Sequence, residues 1–297
     1  MIADRKTQTT LGAILLTASW VFFTTEMVTV RMLAQDLSIA QIAVFRVSTQ
    51  IILLLPIVIV TKGTVARTHK FGMHVLRAAF SSAGMVLFYF AFALLPVALA
   101  TTLTFTQAMF VTLLAAVILK ETVGRNRIGA VVVGFIGVLV VMRPGFATID
   151  PGMFVALSGA LVAALLMIVT RSLSATEGRF TIMLYSACFG LLMIAAPAAM
   201  SWSTMRPDHW PLLAIVGLAG TTGQFLMVWA FQVAEASALA PVDYIRLIFA
   251  LIAGYVLFSE FPDVWTWIGA AIIVGSVTYA AHLDRRAARP IAPPVAE

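Results

Sequence analysis

The feature that most constrains this chain is a series of apolar runs, each of roughly 20 residues, that recurs from near the start of the sequence to Leu283. At a rise of about 1.5 Å per residue, such a run matches the ~30 Å hydrocarbon layer of a bilayer. Only 11% of the residues are charged, whereas a soluble domain carries about 25%. A membrane β-barrel would alternate apolar and polar residues, and stretches such as Ile51 to Val60 do not alternate. The sequence therefore predicts an all-α integral membrane protein.

The breaks between the apolar runs divide the chain into ten predicted transmembrane helices. Proline marks several of these breaks, because it is costly inside a helix and well tolerated between two helices. Residues 287–297 contain several prolines and are predicted to form a disordered cytoplasmic tail. The predicted spans are Leu11–Val30, Ile39–Val60, Met73–Leu94, Val97–Leu119, Ile128–Met142, Gly152–Thr170, Thr181–Trp202, Leu212–Ala234, Ser237–Phe258 and Val264–His282.

Lysine and arginine are distributed unequally between alternate loops. One side of the predicted bundle collects fourteen of these cations and the other side three, while Arg46 and Arg246 fall within spans. Since cations resist crossing the membrane during insertion, both termini are predicted to be cytoplasmic, in a multi-pass protein of the bacterial inner membrane. The first apolar run lacks a signal-peptide cleavage pattern, so we expect it to be retained. The single cysteine, Cys188, excludes a disulfide framework.

The fourth and ninth predicted spans resemble each other. At an offset of 139 residues, Phe105 aligns with Tyr244 and Glu121 aligns with Glu260, and the next span of each half opens with Ile-Gly-Ala. Because five is an odd number, a duplicated five-helix unit must insert its second copy upside down. We therefore predict two inverted five-helix repeats, residues 1–146 and 147–286, around a central cavity. Transporters use this architecture to expose one midplane site to either side in turn.

Polar groups near the middle of the fourth and ninth spans are the first candidates for a substrate-binding site. An ionisable group inside a span costs about 2.5 to 3.5 kcal/mol on insertion scales, so it requires a partner or a function. Either Arg246 attracts a substrate carboxylate and Asp243 takes a proton or meets an amine, or the two form a structural ion pair. With their repeat counterparts, the candidate residues are Arg246, Asp243, Tyr244, Gln107, Phe105 and Thr104.

A second set of candidates lies in the other spans. Glu26 and Arg46 lie at comparable depth in the first two spans, so they are predicted to pair across a short hairpin. For Arg46 the favoured alternative is that its long side chain snorkels to the interface. For Glu26, a functional role as a gate or substrate contact and a purely structural role stay open alike. A planar substrate could stack on aromatic rings at this depth, although a single aromatic residue is more often an interface anchor. The remaining candidates are Trp20, Tyr89, Gln224 and Trp229.

Several kinds of chemistry lack support in the sequence. There is no G-x-x-x-x-G-K-[ST] loop for ATP, and the four histidines do not have the spacing of metal ligands. We therefore predict no cofactor, no metal site and no enzymatic activity. The net charge of +6 does not indicate nucleic acid, because the cations lie between spans rather than on one basic face. The predicted partners are a small-molecule substrate, an amino acid or related metabolite, and membrane lipid, and a monomer is the favoured oligomeric state.

Three segments carry a resemblance to a known family. The stretches "SIAQIAVFRVSTQIILLLPI", "LLPVALATTLTFTQAMFVTLLAAVILKE" and "VAEASALAPVDYIRLIFALIAGYVLFSE" resemble the EamA-type branch of the drug/metabolite transporter superfamily. The resemblance covers nearly the whole chain and implies a cytoplasmic-membrane carrier with a central cavity, often an exporter of amino acids or other metabolites. The size and aromatic content resemble those of the YddG-type aromatic amino-acid exporters.

The resemblance and the residues together favour a secondary transporter that exports small metabolites, aromatic amino acids above others, by alternating access. Within the transport class, the alternative is a nucleotide-sugar or sugar-phosphate exchanger. Such an exchanger would need several cations in its cavity, and only Arg246 is well placed. Outside this class, a membrane enzyme or receptor remains an alternative. The short loops and the duplication argue against it, because such proteins more typically place their chemistry asymmetrically or in large loops.

Overall fold

The computed structural model describes residues 2–64, 67–118, 124–143, 149–174, 176–234, 239, 242 and 244–287. Throughout these ranges the regular elements are helices and no strand occurs, which confirms the predicted all-α class for the described part of the chain. The helices are α1 (Ile2–Leu33), α2 (Ile39–Val60), α3 (Phe71–Leu94), α4 (Val97–Thr104), α5 (Thr106–Ile118), α6 (Arg125–Met142), α7 (Pro151–Ser174), α8 (Arg179–Met200), α9 (His209–Val233), α10 (Ile245–Phe258) and α11 (Val264–Ala287).

The surface and interior of the bundle have the polarity expected of a membrane protein. Seven helical stretches are long and apolar enough to cross a bilayer, counting α4 and α5 as one, and three further apolar helices are shorter. Large apolar side chains face outwards, with Val60 81% and Met200 90% exposed, whereas Gln41 and His74 are fully buried. Soluble proteins show the reverse preference. The chain is therefore a multi-pass membrane protein, while the count of ten spans stays a prediction.

The fourth predicted span is a pair of helices, α4 and α5, rather than one continuous helix. The amide of Phe105 donates to the carbonyl of Thr102 at 3.2 Å, and the amide of Ala108 donates to the carbonyl of Phe105 at 3.2 Å. Both bonds reach back three residues, so the backbone is wound more tightly here than in an α-helix. Four threonine hydroxyls bond to carbonyls of the preceding turn, an arrangement that often bends helices. These are Thr101, Thr102, Thr104 and Thr106.

The helices pack in pairs that have an approximate twofold pattern. α1 packs on α9 as α7 packs on α3, and α2 packs on α9 as α8 packs on α3. The pairs α2 with α8 and α6 with α11 each join one helix of the first half to its counterpart in the second half. Exchanging the two halves therefore maps each of these contacts onto another of them or onto itself.

The connections between helices gather on two faces. We call the side where α1 begins the N-terminal face and the other side the opposite face. At the N-terminal face the hydroxyl of Thr68, before α3, donates to Oε1 of Glu177, after α7, at 2.9 Å. The opposite face is joined across the halves by ion pairs. These are Arg31 with Glu260, Arg143 with Asp263 at 2.5 Å, and Arg206 with Asp36 at 2.5 Å.

Asp263 illustrates how the opposite face is built. Its Oδ1 atom accepts the amide of Thr266 at 2.9 Å and thereby caps the first turn of α11. Burial acts to raise the pKa of Asp263, but the hydrogen bonds from Thr266 and the charge of Arg143 outweigh it and leave this pKa below its usual value. The carboxylate therefore stays ionised and keeps its ion pair with Arg143.

Some of the predictions concern residues outside the described ranges. Asp243 and Glu121 are among them, as are residues 288–297 of the predicted tail. The pairing of Asp243 with Arg246 therefore stays a prediction, as does the disorder of the tail.

Candidate functional site

One group of candidate residues meets where the two halves touch, and we call it the arginine–aromatic cluster: Trp20, Phe105, Tyr244 and Arg246. The guanidinium carbon of Arg246 lies 3.9 Å from the centroid of the Phe105 ring and 5.0 Å from that of Trp20. The rings of Phe105 and Tyr244 are 5.4 Å apart and tilted by 41°. Trp20 and Phe105 are buried, with 6% and 3% exposure. Stacking on aromatic faces stabilises a guanidinium in such surroundings.

Local backbone structure places the members of this cluster. Phe105 lies at the tight turn between α4 and α5, and Tyr244 directly precedes α10. These two residues are the counterparts in the predicted repeat alignment, and their rings are in contact. A guanidinium can both stack on aromatic rings and form two parallel hydrogen bonds to a carboxylate. The indole N–H of Trp20 is buried and has no hydrogen-bond partner among the described residues. It is a second hydrogen-bond donor beside the guanidinium of Arg246.

The polar candidates Thr104 and Gln107 make contacts different from those of the aromatic candidate Phe105. The hydroxyl of Thr104 donates to the carbonyl of Thr101 at 2.7 Å, within its own helix. The amide of Gln107 donates to the carbonyl of Ala163 on α7 at 3.5 Å. Among these candidates of the fourth predicted span, the ring of Phe105 contacts Arg246, because the turn at Phe105 presents that ring to the arginine.

A second group of candidates lies between α1, α2, α3 and α9, and we call it the glutamate–arginine cluster: Glu26, Arg46, Gln50, Tyr89 and Gln224. Nε of Arg46 lies 3.3 Å from Oε1 of Glu26, which also accepts the hydroxyl of Tyr89 at 2.5 Å. Arg46 further donates to Oε1 of Gln224 at 2.9 Å and to Oε1 of Gln50. The side chains of Arg46 and Glu26 are only 11% and 7% exposed.

The predicted pairing of Glu26 with Arg46 is confirmed, and the favoured alternative for Arg46 is wrong. Its side chain points into the bundle and does not snorkel to the interface. The physical reason is the number of acceptors within reach, which includes the carbonyl of Gly220 at 3.4 Å. A buried charge is tolerated when it is paired and its other donors are satisfied. Trp20 and Glu26 lie six residues apart on α1, so the two clusters are separated by about 9 Å along that helix.

Glycine at position 220 makes room for the carboxylate of Glu26. A Cβ atom built on Gly220 would lie 2.6 Å from Cδ of Glu26. We expect Gly220→Ala to destabilise the protein by about 1 to 3 kcal/mol, because the carboxylate must move away from Arg46 and Tyr89. Gly129→Ala is the matched control, since a Cβ there meets nothing within 4 Å and alanine is the better helix former. Thermal unfolding in detergent measures both, and equal midpoints for the two variants would contradict the prediction.

Sequence reasoning missed a third buried polar group, at the start of α3. Arg77 is 8% exposed and His74 is fully buried. Nε of Arg77 donates to the hydroxyl of Thr170 at 2.9 Å, and its Nη1 atom donates to the hydroxyl of Ser186. The signal in the sequence was the position of Arg77, six residues inside the helix that begins at Phe71.

One candidate is placed apart from the others. Trp229 is 40% exposed and lies beside Phe225, 6.0 Å between ring centroids, on a different face of α9 from Gln224. A groove of about 560 Å³ opens between α6 and α11, and its lining contains none of the predicted site residues. This groove lies on the exposed side of the bundle, among residues such as Val133 and Tyr279. The central cavity between the halves therefore stays a prediction.

Residues 10–143 and residues 150–281 both match the model of the EamA-like transporter family. The chain belongs to the EamA-like transporter family. This EamA-like transporter is 30% identical to an S-adenosylmethionine uptake transporter of Rickettsia bellii, over 83% of this chain and 85% of that protein. It is 28% identical to a riboflavin transporter of Brucella anthropi, over 84% and 89% of the two chains. It is 27% identical to solute carrier family 35 member G1 of Homo sapiens, over 83% and 72%.

The similarity to a solved structure supports the fold and nothing further. A crystal structure of a protein with 16% sequence identity matches the EamA-like transporter with a TM-score of 0.62, covering 96% of this chain and 100% of that one. Together with the family, the named relatives identify a transporter of small metabolites, and the prediction that the chain is not an enzyme is confirmed. The names of these relatives do not support an amino acid as the cargo or export as the direction.

Proposed function

We propose that this EamA-like transporter is a secondary carrier that moves a small metabolite with a planar ring and an anionic group by alternating access. Arg246 binds the anionic group, and Trp20, Phe105 and Tyr244 stack on the ring. The observation that carries the proposal is the arginine–aromatic cluster, which is built from both halves of the bundle. A site shared by two halves changes shape when the halves move against each other, as alternating access requires.

The architecture in this proposal is the ten-helix arrangement of two inverted repeats. The twofold pattern of helix contacts supports it, as does the contact between the counterpart residues Phe105 and Tyr244. The N-terminal face is the cytoplasmic one in the bacterial inner membrane, supported by the excess of lysine and arginine in its loops. In this structure several cross-half ion pairs join the opposite face.

The cargo class follows from the chemistry of the cluster. S-adenosylmethionine and riboflavin, after which two of the relatives are named, each contain a planar heterocycle, and aromatic amino acids combine a ring with a carboxylate. Aromatic amino acids stay our favoured cargo, and export stays our predicted direction. A sugar-phosphate exchanger is the second candidate, but its doubly charged cargo would need more cations than the single arginine of this cluster.

Counterflow in liposomes tests the proposal. Purified protein is reconstituted, and the panel of labelled compounds comprises tryptophan, phenylalanine, threonine, S-adenosylmethionine, riboflavin and an anionic sugar phosphate. We expect exchange of one or more of tryptophan, phenylalanine and S-adenosylmethionine, which have both a ring and a carboxylate, and no exchange of threonine, because threonine has no ring to stack on the cluster. Exchange of riboflavin alone, which has a ring and no anionic group, would contradict the role of Arg246.

The remaining outcomes have definite consequences. A signal with the sugar phosphate alone would replace our cargo class by the exchanger class, and no signal from a correctly folded protein with any compound would reject the proposed site. The direction of net transport is then measured with vesicles that have the labelled cargo on one side of the membrane only. Net flux only towards the side of the N-terminal face would contradict export.

A further inference from the structure

The polar group at the start of α3 is separate from the two clusters described above. His74 lies fifteen residues before Tyr89 on the same helix, which corresponds to about 22 Å along its axis. The imidazole is fully buried, and its ring centroid lies 4.6 Å from that of Tyr185. Nε2 of His74 is 3.7 Å from Oε2 of Glu177, too far for a hydrogen bond. Among the described residues, neither ring nitrogen of His74 has a hydrogen-bond partner.

This arrangement is unfavourable for a neutral imidazole. One of its nitrogens carries a hydrogen in either tautomer, and a buried donor without an acceptor is destabilising. A proton on His74 would place a positive charge opposite the carboxylate of Glu177. Closing the gap by about 1 Å would then form a charge-assisted hydrogen bond. Burial of the imidazole and the charge of Arg77 oppose this proton, so His74 can hold it only together with a movement of Glu177 that closes the gap.

The charges around His74 can be assigned to the neighbouring elements. Glu177 approaches from the connection between α7 and α8, Tyr185 from α8, and Arg77 from α3 itself. On α7, Thr170 bonds to Arg77. α4 contains no ionisable side chain, and Glu26 of α1 meets α3 at Tyr89, with Arg46 of α2 beside it. Among the described residues, Glu177 is therefore the carboxylate that faces the imidazole.

Glu177 also joins the two halves of the transporter. Its Oε1 atom accepts the hydroxyl of Thr68, which belongs to the first half, at 2.9 Å. His74 belongs to the first half as well, so both carboxylate oxygens of Glu177 face residues of the other half. The contact lies at the N-terminal face, and the ion pairs of Arg31, Arg143 and Arg206 lie at the opposite face.

We propose that His74 and Glu177 form a proton-binding site that clamps the two halves together at the N-terminal face. When His74 takes a proton from the water on that side, its ion pair with Glu177 closes and the face is held shut. When the proton returns to the same water, the ion pair is lost, Glu177 keeps its hydrogen bond from Thr68, and the face opens more readily. This inference rests on the proposed function, because opening of the face has a role only in transport.

The test measures opening of the N-terminal face without any cargo. Ser82 is 7% exposed and lies on α3 against Gly190 of α8, two turns deeper than His74. Ser82→Cys in a Cys188→Ala background is labelled with N-ethylmaleimide at about pH 5.5 and about pH 7.5, the range in which histidine titrates. Comparison with the same protein carrying His74→Gln at each pH removes the pH dependence of the thiol reaction itself.

We expect His74→Gln to label roughly 10-fold faster than the parent protein near pH 5.5 and within about twofold of it near pH 7.5. Glu177→Gln, which keeps an acceptor for Thr68 and loses the charge, should behave in the same way. The control is His69→Gln, an exposed histidine on the same face, which should label like the parent.

The quantity compared is the labelling rate of the variant divided by that of the parent protein. If this ratio is the same at both pH values for His74→Gln, the proposal is overturned, even when the variant labels faster, because a merely loosened protein gives that result. A ratio that changes with pH in His69→Gln would overturn the proposal as well. Counterflow with the wild-type protein tests the proposed function independently of this measurement. Failure of one can therefore be told apart from failure of the other.

Discussion

Replacing Arg246 by glutamine is expected to raise the half-saturating cargo concentration in counterflow by roughly 10- to 100-fold, because the change removes one or two charged hydrogen bonds to the cargo. Glutamine keeps a polar group at the position but loses the charge and the planar fork. Arg246→Lys should give an intermediate loss. Lysine retains the charge, but it cannot stack flat on Phe105 and Trp20 or form two parallel bonds with a carboxylate.

Two controls separate binding from folding in this prediction. Arg67→Gln removes an exposed arginine in the connection before α3, so its transport should stay within about twofold of wild type. Trp20→Leu removes one ring of the cluster and should weaken cargo binding, whereas Trp267→Leu removes a tryptophan that is 51% exposed and should not. Unchanged counterflow by Arg246→Gln would remove this residue from the binding site.

Replacing Glu26 by alanine is expected to lower the midpoint of thermal unfolding by on the order of 10 °C. The change leaves the guanidinium of Arg46 buried without its counter-charge and leaves the hydroxyl of Tyr89 without its acceptor. Breaking a buried ion pair by removing one partner costs about 3 to 5 kcal/mol, because the remaining charge stays desolvated. Glu26→Gln should cost less, since its amide oxygen still accepts from Tyr89.

A double-mutant cycle tests whether the pair acts as a unit. Glu26→Gln combined with Arg46→Met removes both charges, so we expect the double variant to be more stable than the sum of the two single effects implies, by about 1 to 3 kcal/mol. The control cycle uses Arg206 and Asp208, an ion pair at 3.4 Å with both side chains more than half exposed, for which the coupling should be near zero. Strict additivity at Glu26 and Arg46 would show that their contact contributes nothing.

Contacts at the opposite face are connected to the arginine–aromatic cluster. Arg31 and Glu260 are joined at the opposite face, and Oε2 of Glu260 also accepts the amide of Val97 at 3.1 Å, where α4 begins. α4 leads directly to Phe105, and α10, which begins beside Arg246, ends next to Glu260. Two short helices therefore join Glu260 to the arginine–aromatic cluster.

Hydrophobic pattern and proline placement were enough to predict the membrane class and the positions of the helices. These features depend on local properties, namely the length of an apolar run and the cost of proline inside a helix. The internal similarity of two spans also predicted that Phe105 and Tyr244 correspond, and their rings lie 5.4 Å apart in the structure. The pairing of Glu26 with Arg46 was foreseen from depth alone, because unlike charges in a membrane interior attract strongly.

The sequence alone determined that this chain spans a membrane, that two of its segments resemble each other and that a few buried charges require partners. Only the tertiary structure decided which partners they have. It turned Arg46 inwards, placed an aromatic ring rather than Thr104 and Gln107 against Arg246, and buried His74 and Arg77 between α3, α7 and α8. The reason is that the face a helix presents, and a bend such as the one at Phe105, depend on packing against helices that are distant in the sequence.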